Sequence, residues 1–410
     1  MRKVLKIFKW LLIGTFSFFV LVILVFGINI SSSKGNFKYS WSGLRALWDK
    51  DMAFGIFENQ KMYAEFNGID GPYFYNDSIF YVDAKNNLEG KKYFLKDSIK
   101  VIVNNENKDS FCFLLNNEPI KHKEVYQIPD KLIAISDIEG NFNAFSSFLI
   151  NNKVMDENYT WIFDKGHLVL NGDFVDRGGD VFQVLWLIYY LEQQAEKSGG
   201  KVHYLMGNHE IMNFQGRWKY NDRKYLKAYT SITKIEAWDV ATKKYFSKET
   251  ILGKWMQTKY SIIKIGNYLF VHGGLSPKLM SLHLDIQSIN QIAHNYWTKD
   301  LYNNPTENKK ANFVIGNEGP FWYRGMATDY KYYDKINQTD MNNILDFYNA
   351  KKIIIGHSIV EDISYDFNKK LIKIDVVHGK EKNSTKTKGL YIKDSVEYKV
   401  DGLGYKVLLK

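Results

Sequence analysis

Side chains that suit metal or phosphate chemistry follow several short apolar runs of this chain. The densest set lies in L-V-L-N-G-D-F-V-D-R-G, residues 168–178, where Asp173, Asp176 and Arg177 come after β-forming residues. Carboxylate oxygens suit hard divalent cations, and a guanidinium group can grip phosphate oxygens with two hydrogen bonds. Because open α/β sheets bind their ligands at strand ends, this stretch is a candidate binding site.

Four other apolar runs end in the same way, at S-D-I-E-G-N, G-N-H-E, H-G-G and G-H-S. Each would deliver an acid, an amide or an imidazole to one edge of a sheet. One such run means little, but the whole series indicates a site for two metal ions. The side chains brought to that edge are Asp137, Glu139, Asn208, His209, His272 and His357.

The order D-x-x-G-N, G-D-x-x-D-R-G, G-N-H-E, H-G-G, G-H-S resembles the calcineurin-like metallophosphoesterases. Within them it is most similar to the PPP-type phosphoprotein phosphatases, especially the Shewanella-like branch, because of the motifs at 207–213 and 319–325. The resemblance covers residues 131 to 377. It implies an α/β fold of the α+β kind, a β-sandwich flanked by helices, and a metal-dependent phosphoric ester hydrolase.

The resemblance also implies a dinuclear metal site. Its ligands would be Asp137, Glu139 and Asp173 for the first ion, and Asp173, Asn208, His272 and His357 for the second. Such a pair of ions acidifies a bridging water for in-line attack on phosphorus. The family usually has His where Glu139 stands. An added carboxylate favours Mn²⁺ or Fe, with Zn²⁺ also open, and the alternative is a weakened first site.

His209 follows the ligand Asn208, so we expect it to face the substrate and to protonate the leaving oxygen as a general acid. By resemblance, Asp176 orients this imidazole and raises its pKa, and Arg177 grips the phosphoryl oxygens. Arg324, in W-Y-R-G, is a second candidate phosphate ligand.

The N-terminus predicts attachment to a membrane. Basic residues at 2–9 precede the uncharged apolar run 10–28, which is close to the roughly 20 residues that cross a bilayer as a helix. We favour an uncleaved, single-pass signal anchor, and the alternative is a cleaved signal peptide. The basic flank favours a cytoplasmic N-terminus, which leaves the catalytic domain periplasmic or otherwise extracytoplasmic.

Length and composition allow one large domain with additions: there are 410 residues, of which 45% are apolar. We expect a transmembrane helix at 1–30, a linker and small β-rich module at 31–130, and a catalytic domain at 131–410. Residues 214–257 are predicted to form a helical insertion beside the site. The formal charge of +10 comes from scattered lysines, so no nucleic-acid partner is expected.

These motifs predict a phosphoprotein phosphatase that acts on phosphorylated Ser, Thr or Tyr. A phosphodiesterase or nucleotide pyrophosphatase of the dinucleoside-tetraphosphate type would use the same metal site and differ in pocket width, which sequence does not give. A third alternative is a degenerate, membrane-tethered binding protein. Glu139 is the only sequence feature in favour of this third alternative.

Overall fold

The computed structural model describes residues 2–26, 64–115, 120, 122–301 and 303–410. The chain divides into two compact units, Met1–Ala64 and Glu65–Lys410. In the first unit, helix α1 (Arg2–Phe26) contains an apolar stretch, Leu5–Leu24, that is long enough to cross a membrane. Length and composition make it a candidate membrane span or signal sequence. The linker predicted after residue 30 lies outside the described residues.

The second unit contains strands and helices in mixed order. Its strands are β1 Asp70–Tyr75, β2 Ser78–Val82, β3 Leu88–Lys92, β4 Ser98–Ile102, β5 Ser110–Leu114, β6 Val125–Tyr126, β7 Lys131–Ile135, β8 His167–Leu170, β9 Lys201–Tyr204, β10 Ile262–Ile265, β11 Tyr268–Val271, β12 Lys352–Ile355, β13 Ser364–Asp366, β14 Leu371–Lys373, β15 Lys388–Lys393, β16 Val396–Asp401 and β17 Lys406–Leu408. Its helices are α2 Phe142–Asn151, α3 Val181–Lys197, α4 Asn208–Gln215, α5 Arg223–Thr233, α6 Trp238–Tyr245, α7 Ile251–Met256, α8 Lys278–Ser281, α9 Ile286–Tyr296, α10 Lys309–Ile315 and α11 Gln338–Phe347.

Two large sheets form a sandwich. Among the described residues, one sheet has the order β17-β16-β15-β7-β8-β9 and the other β13-β14-β12-β11-β10-β6. Side chains alternate along a strand, so Leu132 and Ala134 of β7 share one face. They pack in a single buried cluster with Ile263, Phe270 and Ile354 of the other sheet. Full burial of each large apolar side chain contributes about 1.5–3 kcal/mol. The predicted α/β sandwich is confirmed.

Parallel strands bring the motifs to one edge of the sandwich. Strands β7, β8 and β9 run parallel in the first sheet, and β11 and β12 run parallel in the second. The five motifs follow these five strands directly. They therefore meet where the carboxyl ends of the strands meet, as is usual for ligand sites in such sheets.

Antiparallel hairpins precede the sandwich, within the stretch for which the sequence predicts a β-rich module. Strands β1, β2 and β3 form a small sheet, and β4 pairs with β5. This module packs on α3, where Trp186 Nε1 donates to the carbonyl of Pro72 (2.9 Å) and Gln183 Nε2 donates to Asp70 (2.9 Å). The hairpins and the sandwich lie in one compact unit, and the domain boundary at residue 130 stays a prediction.

Candidate metal centre

The turns after β7 and β8 hold two acidic residues in an unusual backbone conformation. Asp137 and Asp173 have φ values of 54° and 59°, in the left-handed region that residues with a Cβ seldom adopt. The N–H of Asp137 donates to the carbonyl of Gly172 (3.0 Å), and that of Glu139 donates to the carbonyl of Asp173 (3.0 Å). A Cβ on Gly172 would clash with the imidazole of His272. The surrounding fold thus holds strained acidic turns side by side, which is typical of functional sites.

Asp173, His272 and His357 form a buried cluster in which one ligand atom of each lies within 4.8 Å of the others. Nε2 of His272 is 3.1 Å from Oδ2 of Asp173 and 3.0 Å from Oδ1 of Asn208. Its other nitrogen, Nδ1, lies 2.9 Å from the carbonyl of Asn171, which can only accept, so Nδ1 carries the proton. Nε2 is therefore free to bind a cation, as in most histidine metal ligands.

The remaining predicted ligands are beside this cluster. The backbone N–H of His357 donates to Oδ2 of Asp137 (3.2 Å), which joins the first motif to the last. Glu139 forms an ion pair with Arg177. A cavity of about 650 Å³ is lined by Asp137, Glu139, Asp173, Asn208 and His357, and His272 is buried behind it. Carboxylate, amide and imidazole donors converging in this way fit divalent transition metals.

His209 lines the same cavity and contacts Asp176. Its Nδ1 is 2.7 Å from Oδ2 of Asp176, and its Nε2 is 3.9 Å from Oδ2 of Asp173. Burial lowers the pKa of His209, but the two carboxylates, Asp173 first, outweigh burial and raise the pKa above its ordinary value. The other oxygen of Asp176 accepts from Asn213 (2.8 Å) and Asn221 (2.5 Å), so this carboxylate is held firmly.

Both predicted phosphate ligands also reach this cavity. The guanidinium of Arg177 lies 5.4 Å from the ring centre of Tyr220, whose ring in turn lies 5.0 Å from that of His209. Arg324 donates to the backbone carbonyl of His357, and its second terminal nitrogen lies 3.5 Å from Nδ1 of that histidine. The two arginines therefore face a common space that also contains His209.

Glu210 is a structural support that sequence reasoning did not assign. Its buried carboxylate accepts hydrogen bonds from the N–H groups of Asp173 (3.0 Å), Phe174 (2.8 Å) and Gly207 (2.8 Å) and from the hydroxyl of Tyr204 (2.8 Å). It thereby fixes the turn that carries Asp173. Its place in G-N-H-E was the available signal, because a glutamate in the first helical turn of α4 can reach back to preceding N–H groups.

Other supporting residues had weaker signals in the sequence. Asn221 lies 45 positions from Asp176, in the insertion, so only the folded chain shows their contact. Asp375 follows β14 in a segment whose apolar residues indicate only a strand, yet it lines the cavity and is 3% exposed. Burial, followed by the Asp137 carboxylate, raises the pKa of Asp375 well above its ordinary value.

Comparison with known proteins identifies the family of this chain. Residues 130–361 match the family model described as calcineurin-like phosphoesterase. The match spans more than half of the chain, which therefore belongs to the calcineurin-like phosphoesterase family and so to the phosphoric ester hydrolases. The predicted resemblance is confirmed, and membership of this family implies divalent metal ions.

Particular relatives are Shewanella-like protein phosphatases. Shewanella-like protein phosphatase 1 of Plasmodium berghei (strain Anka) is 30% identical over 234 residues, which cover 56% of this chain and 61% of the relative. Shewanella-like protein phosphatase 2 of Arabidopsis thaliana is 31% identical over 119 residues, covering 28% and 30%. The chain thus matches less than two thirds of the length of these relatives. The crystal structure of a cold-active protein-tyrosine phosphatase of a psychrophilic Shewanella sp. is similar with a TM-score of 0.71 at 27% identity, covering 84% of this chain and 100% of the other.

Proposed function

We propose that this protein is a metal-dependent phosphoprotein phosphatase. The observation that supports this function best is the meeting, at one cavity, of the carboxylate, amide and imidazole cluster with His209 and two arginines. Two bound divalent cations supply a nucleophile at neutral pH and neutralise charge on the phosphoryl group. We assign Mn²⁺ or Fe to these sites, because the donors of the first site are carboxylates.

The proposed metal ligands divide into two sets that share one carboxylate. They are Asp137, Glu139 and Asp173 for one ion, and Asp173, Asn208, His272 and His357 for the other. The contact between Asp173 and His272 and that between Asp137 and His357 support these sets. Oε1 of Glu139 forms an ion pair with Arg177, so a bound ion would compete with the guanidinium group for this carboxylate and could free it. A negatively charged phosphate would stabilise the freed guanidinium group.

The protein's own groups position the phosphate and transfer a proton. Arg177 and Arg324 would hold phosphoryl oxygens, since each reaches the cavity. Asp176 accepts a hydrogen bond from Nδ1–H of His209, so the imidazolium presents Nε2–H to the cavity. That proton passes to the leaving oxygen as the P–O bond breaks. Burial opposes the charged form, but the Asp173 and Asp176 carboxylates raise the pKa of His209 above its ordinary value and so favour the acid form.

The rim of the cavity supports phosphotyrosine as the preferred substrate. Ile359 and Val377 line it, and they are 68% and 70% exposed. Exposed apolar side chains beside a phosphate site can pack on an aromatic leaving group. The side chains of serine and threonine are too short to cover these apolar groups, which would then stay exposed to water. The similar Shewanella structure is described as that of a protein-tyrosine phosphatase.

A substrate panel tests this function. We expect hydrolysis of p-nitrophenyl phosphate and faster turnover of a phosphotyrosine peptide than of its phosphoserine counterpart. Bis(p-nitrophenyl) phosphate should be a poor substrate, and equal or faster hydrolysis of this diester would favour the phosphodiesterase alternative. His209→Ala should lower kcat by about 10²-fold or more and leave metal content intact. His283→Ala, at an exposed histidine, is the matched control.

We further propose that α1 is an uncleaved membrane anchor and that, in the cell, the second unit lies outside the cytoplasm. The basic residues at 2–9, before the uncharged apolar run 10–28, support this orientation. A β-lactamase reporter at the C-terminus should give ampicillin resistance in whole bacterial cells. Fluorescence of a C-terminal green fluorescent protein, which matures in the cytoplasm, would contradict it.

A further inference from the structure

A second cavity, of about 300 Å³, lies between the hairpin module, α3 and α7. Among the described residues, none lines both this cavity and the one at the metal centre. Tyr93 comes from the module, Tyr189 from α3 and Trp255 from α7, so three aromatic side chains line one space. Cavities of this size, lined by aromatic groups and a few polar ones, are typical of sites for small ligands.

Buried charges at the floor of this cavity neutralise one another. Nζ of Lys259 is 2.5 Å from Oε1 of Glu192 and 2.9 Å from Nε2 of His122. The other oxygen of Glu192 accepts from Nε1 of Trp255 (2.6 Å). The side chains of Lys259 and Glu192 are 1% and 4% exposed. Because Lys259 and Trp255 already pair with the Glu192 carboxylate, no cationic ligand is needed to neutralise it.

Hydrogen-bond donors remain unused around the same space. Nε2 of Gln193 is buried and has no hydrogen-bond partner among the described residues. Lys248 and Lys254 are exposed at the cavity, and neither forms an ion pair with a carboxylate of the described part of the chain. The acid at the same rim, Glu249, is paired with Lys244 at 2.5 Å. The local balance therefore favours a ligand that accepts hydrogen bonds and carries negative charge.

We propose that this cavity is a binding site for a small aromatic anion. Its ring would pack between Tyr93, Tyr189 and Trp255, which bury apolar area and tolerate planar groups. Its anionic group would lie at the rim, near Lys248 and Lys254.

Calorimetric titration tests the site directly, independently of phosphatase activity. The full chain in a neutral detergent is titrated with 2-naphthoate and, separately, with the cation naphthalen-2-ylmethylammonium. We expect a single-site isotherm for 2-naphthoate and binding about tenfold weaker for the cation, because the rim attracts negative charge. Equal affinities, or no saturable binding of 2-naphthoate, would overturn the proposal.

Matched variants place the ligand within the cavity. Ile251→Trp fills the space and should abolish 2-naphthoate binding, whereas Ile162→Trp, at a 41% exposed position elsewhere, should not. The double variant Lys248→Ala/Lys254→Ala should weaken binding about fivefold, as the loss of two exposed ionic contacts implies. The exposed pair Lys227→Ala/Lys310→Ala is its control. Binding that survives Ile251→Trp would refute the assignment.

Discussion

Replacement of Glu210 by glutamine should weaken both the fold and the metal centre. Each oxygen of the buried carboxylate accepts two hydrogen bonds, one pair from Phe174 and Tyr204 and the other from Asp173 and Gly207. In Glu210→Gln, an NH₂ group takes the place of one oxygen and faces donors. Two hydrogen bonds to a charged acceptor are then lost, even though the shape of the side chain hardly changes.

The expected loss follows from those contacts. Hydrogen bonds to charged groups contribute about 1.5–3 kcal/mol each, so two correspond to about 3–6 kcal/mol. If the hydroxyl of Tyr204 reverses and accepts from the new amide, one backbone N–H remains unpaired, and the loss falls to about 1.5–3 kcal/mol. Metal affinity should also fall about 10–100-fold, because Glu210 holds the turn that carries Asp173.

Urea unfolding of the metal-free protein, followed by tryptophan fluorescence, measures the free energy of unfolding. Competition with a chelator measures the metal affinity. The control is Glu196→Gln, which removes a 43% exposed carboxylate that contacts Lys201. This control should change the free energy of unfolding by less than about 1 kcal/mol. A Glu210→Gln variant as stable as the control, with unchanged metal affinity, would refute the reasoning.

Three further perturbations follow from the contacts. Glu139→His should shift metal preference from Mn²⁺ toward Zn²⁺ by about tenfold and free Arg177, and an unchanged ratio in chelator competition would count against a ligand role. Asn221→Ala should lower kcat about tenfold with little change in KM, since it loosens the carboxylate that orients the acid, and an unaltered kcat would exclude this role. Burial lowers the pKa of His167 to about 4 and that of His203 well below its ordinary value. Below about pH 6.5 the unfolded chain therefore binds more protons than the folded chain, and the free energy of unfolding decreases as the pH is lowered. When the pH is lowered from 7 to 5, the free energy of unfolding should therefore decrease by about 2–4 kcal/mol less in His167→Leu/His203→Leu than in the native chain. Equal decreases in the two proteins would contradict this role of the histidines.

Local patterns predicted the elements that carry the motifs. The apolar run that follows Asp180 is typical of a helix, and α3 spans Val181–Lys197. The β-forming runs before each motif are strands β7, β8, β9, β11 and β12. These helices and strands can be predicted because they are determined by the spacing of apolar residues and by turn residues within a few positions of one another in the sequence. The edge where the motifs meet then follows from the parallel arrangement of the strands.

Contacts between distant segments could not be predicted in this way. Asn221 reaches Asp176 from the insertion, and Glu139 pairs with Arg177 across two turns. The buried contact of Lys259 with Glu192 joins residues 67 positions apart. Polar groups of this kind find partners only when the tertiary fold brings them together, so local composition carries no sign of them. The metal-ligand roles and the domain boundaries stay predictions until they are measured.

Metal content and position test the dinuclear centre most directly. Crystals grown with Mn²⁺ should give two anomalous peaks per chain, both within bonding distance of the Asp173 carboxylate, and elemental analysis should find two ions per chain in solution. Asp173→Asn should lose both ions together. A single ion, or peaks away from Asp173, would contradict the shared carboxylate on which the proposed phosphatase depends.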